Sequence, residues 1–194
     1  DSKIDLIAHG IPAAPFASSS KDHLGVEGKS VLLTFGLLSP DKGVEYVIDA
    51  LPAILERHPD VVYIVLGATH PHVKERHGEA YRRSLEILAH RLGVDANIIF
   101  HDRFVSLPEL VEYLSAADIY VTPYLNLEQI TSGTLAYAVG AGKAVISTSY
   151  RYAMELLGDG RGILIPPRSS KELAAALDRL LNDPTELAAM GDRA

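Results

Sequence analysis

Short apolar runs alternate with amphipathic stretches along most of the chain. Residues 30–36 (SVLLTFG) and 61–67 (VVYIVLG) are near-continuous hydrophobic runs closed by glycine, the pattern of a strand buried on both faces. Similar runs occupy 97–103 (NIIFHDR), 118–124 (DIYVTPY), 143–148 (KAVIST) and 161–167 (RGILIPP). Between them the apolar positions recur at helical spacing. Residues 44–58 carry Val44, Val47, Ile48, Leu51, Ile54 and Leu55 on one stripe, with Pro52 expected to kink or divide the helix. Further helices are predicted over 79–93 (ending at Gly93), 107–117, 132–142, 152–158 and 169–183, the last capped by serine. Residues 17–29 read as a polar loop with Ser18 to Ser20 mobile in it.

Strands apolar on both faces and separated by helices require a parallel sheet covered on both sides. The prediction is an α/β fold, a Rossmann-like three-layer α/β/α sandwich. It has six parallel strands in the order 3-2-1-4-5-6, with ligands at their carboxyl ends. Hydrophobic residues make up 47% of 194, enough for one well-cored domain. With 18 basic and 25 acidic residues the formal charge is −7, which disfavours nucleic acid or an anionic membrane as partner. There is no cysteine, so disulfides and thiolate metal sites are excluded. Without a signal peptide or long apolar run, a cytoplasmic location is expected. The first residue is Asp1, the opening DSKIDLIAHGIPAAPF reads as a strand entering a Gly/Pro turn, and the last residues stop inside a helical pattern. A piece of a longer protein is expected.

Two stretches carry candidate chemistry. GLLSPDKG (36–43) follows the first strand and offers Gly36 and Lys42 at its carboxyl end, although Asp41 and Gly43 rule out a triphosphate loop. Lys42 is either an anion ligand or a solvated lysine at a helix start behind Ser39-Pro40. Thr131, Ser132, Gly133, Thr134 and Leu135 open an apolar helix. Unpaired amides and about half a positive charge gather at such an end, and Gly133 lets a ligand approach them. Plain capping by Thr131 or Ser132 is the structural alternative.

His70, His72 and His77 cluster after the second strand without an acid to complete a metal triad, so a polar loop is favoured there; His70 still lies at the ligand edge. His101 and Arg103 follow the third strand onto that edge. No Asp-x-Asp pair and no Gly-x-Ser-x-Gly elbow occurs. Hydrolase chemistry and the usual metal clamp on a nucleotide diphosphate are therefore not indicated.

VLLTFGLLSPDKGVEYVIDALPAI, VVYIVLG, SAADIYVTPY, LAYAVGAGKAVIST and GRGILIPPRSSKELAAALDRLLNDPTELAAM occur in an order that resembles the C-terminal half of group-1 (family 4) retaining glycosyltransferases of the GT-B fold. The resemblance runs from about residue 4 to the end. It implies an interdomain entry segment over 1–28 and a donor-binding domain over 29–194, with an N-terminal acceptor domain outside this chain. It implies transfer of a sugar from a nucleoside-diphosphate sugar to a carbohydrate or lipid acceptor met through that other domain, with peripheral membrane contact there. No metal or other cofactor is implied.

Gly36, Lys42 and Gly43 match the family's diphosphate loop, but its arginine is Leu37 here. Ala138, Gly142, Lys143 and Val145 match the later motif, whose two glutamates are replaced by Gln129 and Tyr137. On this resemblance Lys42 would be catalytic, stabilising the departing diphosphate, with Ser132, Gly133 and Thr134 on phosphate. Gln129 would face the sugar, Tyr137 the ribose, and Arg103, Phe104 and Val105 the base. Alone, the chain is expected to bind donor weakly and transfer nothing. The departures keep two alternatives open: a glycoside phosphorylase or sugar-phosphate-using enzyme, and a non-catalytic carbohydrate-binding module.

Overall fold

The computed structural model describes residues 10–11 and 20–194. A short helix α1 (Ser20–His23) leads into β1 (Ser30–Phe35). Then follow α2 (Val44–Leu55), β2 (Val61–Leu66), α3 (Pro71–His77), α4 (Ala80–Leu92), β3 (Ile98–His101), α5 (Leu107–Ala116) and β4 (Ile119–Thr122). The chain continues through α6 (Gly133–Gly140), β5 (Ala144–Thr148), α7 (Arg151–Leu156), β6 (Ile163–Ile165), α8 (Ser170–Asn182) and α9 (Pro184–Arg193). The six strands form one parallel sheet in the order β3-β2-β1-β4-β5-β6, as the pattern predicted.

Alternation along each strand divides the core in two. Leu32, Tyr63, Val65, Ile119, Val121 and Ile146 face α2, α4, α8 and α9, meeting Val47, Leu51, Leu85, Leu177 and Met190. Val31, Leu33, Phe35, Ile64, Leu66, Tyr120 and Val145 face the other way onto α5, α6 and α7, through Leu114, Leu135, Val139 and Ala153. Almost every residue of β1, β2, β4 and β5 is buried, so the apolar runs are a direct consequence of being covered on both sides. Thr34 is the polar exception in β1: its hydroxyl donates to Val121 O (2.6 Å) and accepts from Tyr63 OH (2.8 Å), which satisfies it inside the core.

Three expectations need correction. Pro52 does not divide α2; the helix runs through it, gives up one backbone hydrogen bond there, and ends one turn later at Leu55. The polar loop after β2 is a helix over Pro71–His77, because Pro71 at its first position needs no N–H and the His70 imidazole accepts from His72 N (3.3 Å). Within 17–29, Ser20–His23 is helical. Residues 1–9 and 12–19 lie outside the described residues, and with them the strand-and-turn reading of the opening and the mobility expected of Ser18 and Ser19. The predicted strands 97–103, 118–124 and 161–167 are each shorter than their sequence runs. Gly93 does end α4, in a left-handed conformation (φ 69°), its N–H bonded to Ala89 O and His90 O.

At the carboxyl edge the backbones of the central strands pinch together. A methyl on Gly67 (φ 143°) would sit 2.0 Å from Gly36 O, immovable backbone, while one on Gly93 would meet nothing within 4 Å. Gly93→Ala is therefore expected to cost about 1 kcal/mol, the left-handed penalty alone. Gly67→Ala adds a backbone clash and should cost roughly 3 kcal/mol or more, or prevent folding. Urea denaturation of the two variants beside the parent chain checks the ordering; equal losses would contradict it.

Candidate functional site

The loop leaving β1 makes a single 3-10 turn, Pro40–Lys42, ended by Gly43 in the left-handed region (φ 63°). That turn is pressed against the end of β4. A methyl on Gly43 would lie 2.2 Å from Pro123 O, and Leu125 N donates to Asp41 O at 2.9 Å. Lys42 is half-buried, and its ammonium sits 3.7 Å from the centroid of the Tyr124 ring. No carboxylate pairs with it among the described residues. A cation stacked on an aromatic face and unopposed by an acid keeps its capacity for an anion.

The tip of α6 meets this loop. Gly36 has φ 124°, and a methyl there would lie 3.1 Å from Thr134 Cγ2, so the β1 loop runs alongside the first turn of the helix. Ser132 is the N-cap: its buried hydroxyl accepts from Leu135 N (3.3 Å) and lies 3.2 Å from Thr134 Oγ1. The capping reading of this stretch is therefore met by Ser132. Ser132 caps the helix, and the cap engages the amide of Leu135, whose side chain is fully buried in the core. Gly133 and Thr134, the first two helical positions, have amides without an acceptor inside the helix. Thr131 is exposed, and its carbonyl accepts from Gln129 Nε2 (2.8 Å). The Gln129 amide nitrogen is thus tied within the loop, and that loop is fastened to α7 through Arg151 N to Leu127 O (3.0 Å) and Tyr152 N to Gln129 O (3.1 Å). Tyr137 is one turn beyond Gly133 on the same face of α6, half-buried.

On the other side of Gly36 a cavity of about 220 Å³ opens over the ends of β1 and β2. Arg103, Phe104 and Val105 form one wall, and Gly36, Leu37, Gly67 and Ala68 the other. Phe104 is 73% exposed there, an aromatic face with little to pack against. Arg103 is held by Glu109 (2.7 Å), which also closes a capping box with Ser106 at the start of α5. The Arg103 guanidinium, then the Ser106 bonds, hold the Glu109 carboxyl down to about 2. Burial, then Arg103, keeps His101 below its usual range; its ring meets Tyr113 edge-on at 5.4 Å. His70 borders the loop through its N–H to Leu38 O (2.8 Å), but its imidazole caps α3 and stacks on His72, and it does not line the cavity. Among the described residues no three His, Asp or Glu side chains converge as a metal cluster.

Two residues were missed by sequence reasoning. Tyr124, two residues past the end of β4, is fully buried, stacks on Tyr150 (5.5 Å) and shares a hydrogen bond with Thr134 Oγ1 (2.9 Å). Burial opposes ionisation of its phenol, but the Lys42 ammonium and the Thr134 bond outweigh that and draw its titration down, whereas Tyr120 is pushed well up by burial. Arg82, on α4, is buried at the edge between β2 and β3. Its guanidinium donates to Gly67 O (2.6 Å) and pairs with Asp102 (2.9 Å), tying together the two loops that wall the cavity. Lys143, which matched a motif, donates to Ser115 O (3.2 Å) and Ala117 O (3.0 Å) and so caps α5 from below.

A family model for glycosyl transferases group 1 matches residues 16–194. An uncharacterized glycosyltransferase of Methanocaldococcus jannaschii is 30% identical over 162 residues, 82% of this chain and 38% of that protein. A phosphatidyl-myo-inositol mannosyltransferase of Mycolicibacterium smegmatis is 29% identical over 182 residues, 91% and 42%. The chain thus spans less than half the length of these curated relatives. Among solved structures, Anabaena Alr3699/HepE in complex with UDP and glucose superposes with a TM-score of 0.77 at 26% identity, covering 90% of this chain and 44% of that one. The C-terminal domain of a group 1 glycosyl transferase from Francisella tularensis covers 93% and 89% with a TM-score of 0.76; at 23% identity it speaks for the fold alone. With the sheet order, the glycine-lined edge and the family match in agreement, the chain belongs to the glycosyl transferases of group 1.

Proposed function

We propose that this chain is the donor-binding half of a retaining transferase that takes a nucleoside-diphosphate sugar. The observation that carries this reading is the meeting of Gly36, Lys42 and the tip of α6 beside a cavity walled by Phe104. A planar base fits the cavity, against Phe104 and the backbone of Gly67 and Ala68. The diphosphate then runs past Gly36, whose missing side chain leaves room, to the amides of Gly133 and Thr134 and the Lys42 ammonium. UDP bound to the Anabaena protein supports this class of ligand.

The catalytic work assigned to these groups is electrostatic. As the bond from sugar to diphosphate breaks, negative charge grows on the leaving oxygens. Fixed amide dipoles and one cation stabilise that charge with little reorganisation. The second cation expected from the resemblance is absent, because Leu37 lines the cavity instead. Its place beside a planar ligand exchanges electrostatic grip for apolar contact. Gln129 lies on the exposed loop before the tip, suited to sugar hydroxyls, and Tyr137 replaces a carboxylate on the ribose side. The acceptor would reach this edge from a preceding domain. The relatives are named as transferases, which weighs against the phosphorylase and binding-module alternatives.

Calorimetry on this chain tests the reading. Uridine or guanosine diphosphate should bind, the parent nucleoside more weakly, and Lys42→Met should lower the diphosphate affinity about tenfold, roughly the 1.4 kcal/mol of one charge-assisted contact. Equal binding of nucleoside and diphosphate would remove the phosphate site from the argument.

The cavity rim gives a pH prediction. A folded carboxyl near 2 lies below its ordinary value of 4.5, so the Arg103–Glu109 tie contributes fully above that value and fades as pH falls towards 2. The carboxyl carbon resonance of Glu109 should titrate near 2 and move part of the way up towards the ordinary carboxylate range in Arg103→Ala, the Ser106 bonds remaining. An unchanged midpoint in the variant would mean that Ser106 alone holds it down.

A further inference from the structure

Tyr124 touches both anion-binding elements at once. Its ring lies under the Lys42 ammonium at 3.7 Å, and its hydroxyl is 2.9 Å from Thr134 Oγ1 on the first turn of α6. The neighbouring residues clamp the same loop by backbone: Pro123 O lies against Gly43, and Leu125 N holds Asp41 O. Within this aromatic cluster it is the Tyr124 hydroxyl that makes a well-formed hydrogen bond to the helix tip. Stacking on Tyr150 at 17° between planes fixes the ring from beneath. A flexible lysine loses rotamer freedom when it binds an anion, and a ring that already confines it removes part of that cost.

We propose that Tyr124 is the positioning residue of the diphosphate site, holding Lys42 with its ring and Thr134 with its hydroxyl so that cation and helix tip form one preformed anion cradle. This rests on the donor reading above. Tyr124 itself is buried and reaches a ligand only through its two partners. Loss of the hydroxyl loosens the tip, whereas loss of the ring frees the lysine as well.

The test uses uridine diphosphate, guanosine diphosphate and their nucleosides against this chain. Tyr124→Phe keeps the ring and the fold, and should lower diphosphate affinity about fivefold, the scale of one neutral hydrogen bond, leaving nucleoside affinity unchanged. Tyr124→Leu should lower it further. On a Thr134→Val background, Tyr124→Phe should have no additional effect, since the bond through which it acts is already gone. A purely structural role would weaken nucleoside and diphosphate together and add to Thr134→Val. Either that pattern, or a Tyr124→Phe chain that binds diphosphate like the parent, overturns the proposal while leaving the donor reading in place. A parent chain that binds neither diphosphate removes both.

Discussion

The site depends on how closely main chain approaches main chain at the carboxyl edge of the sheet. Gly67 and Gly36 bring the ends of β2 and β1 to a separation no side chain could share, and Gly43 does the same for the β1 loop and the end of β4. Each contact is one the hydrophobic effect cannot provide, because it depends on the absence of a Cβ. Its consequence is geometric. With the backbones this near, Lys42 comes to lie over the Tyr124 ring just past β4, and the tip of α6 comes to lie against Gly36. The core of two apolar clusters supplies the stability. The glycines determine what the edge can hold.

Much of the fold was legible because both faces of a parallel sheet are buried. That single condition writes itself into consecutive residues, as in VVYIVL, and the strand order follows from the alternation with helices. Strand ends were less legible: Asn97, Asp102 and Arg103 extend the apolar run of β3 in sequence without pairing in the sheet. The helix at Pro71–His77 was masked by its composition. Charged residues and histidines read as loop, yet a proline at the first position was a usable signal for a helix start.

At the candidate site, what could be read were the residues proposed to act through their own backbone or charge: Gly36, Lys42 and Gly133. What could not be read were those that act through a partner far along the chain. Tyr124 looks like the last aromatic of a strand, and only the fold puts its ring beneath Lys42. Arg82 and Arg83 are adjacent in a helical pattern, and nothing local separates the one buried against Gly67 and Asp102 from the one left exposed. The anion reading and the capping reading of Ser132 were posed as rivals. The two are compatible, because a cap serves one amide of the helix start and leaves the earlier ones.

The departures from the family pattern then take on a common sense. With the lysine, an arginine at the diphosphate and two carboxylates nearby form a balanced set of charges. Here Leu37, Gln129 and Tyr137 replace one cation and two anions, so Lys42 is left as the uncompensated charge of the set. A carboxylate paired with a lone lysine would compete with the diphosphate for it; none pairs with Lys42 among the described residues, and the ammonium rests on an aromatic face instead. Such a face holds a cation at about 0.5–2 kcal/mol without neutralising its charge, whereas a carboxylate neutralises it. Exchanging an acid-balanced site for an aromatic-seated one is thus compatible with the proposed donor reading: the chain departs from the motif at three positions and keeps an unneutralised cation beside the helix tip.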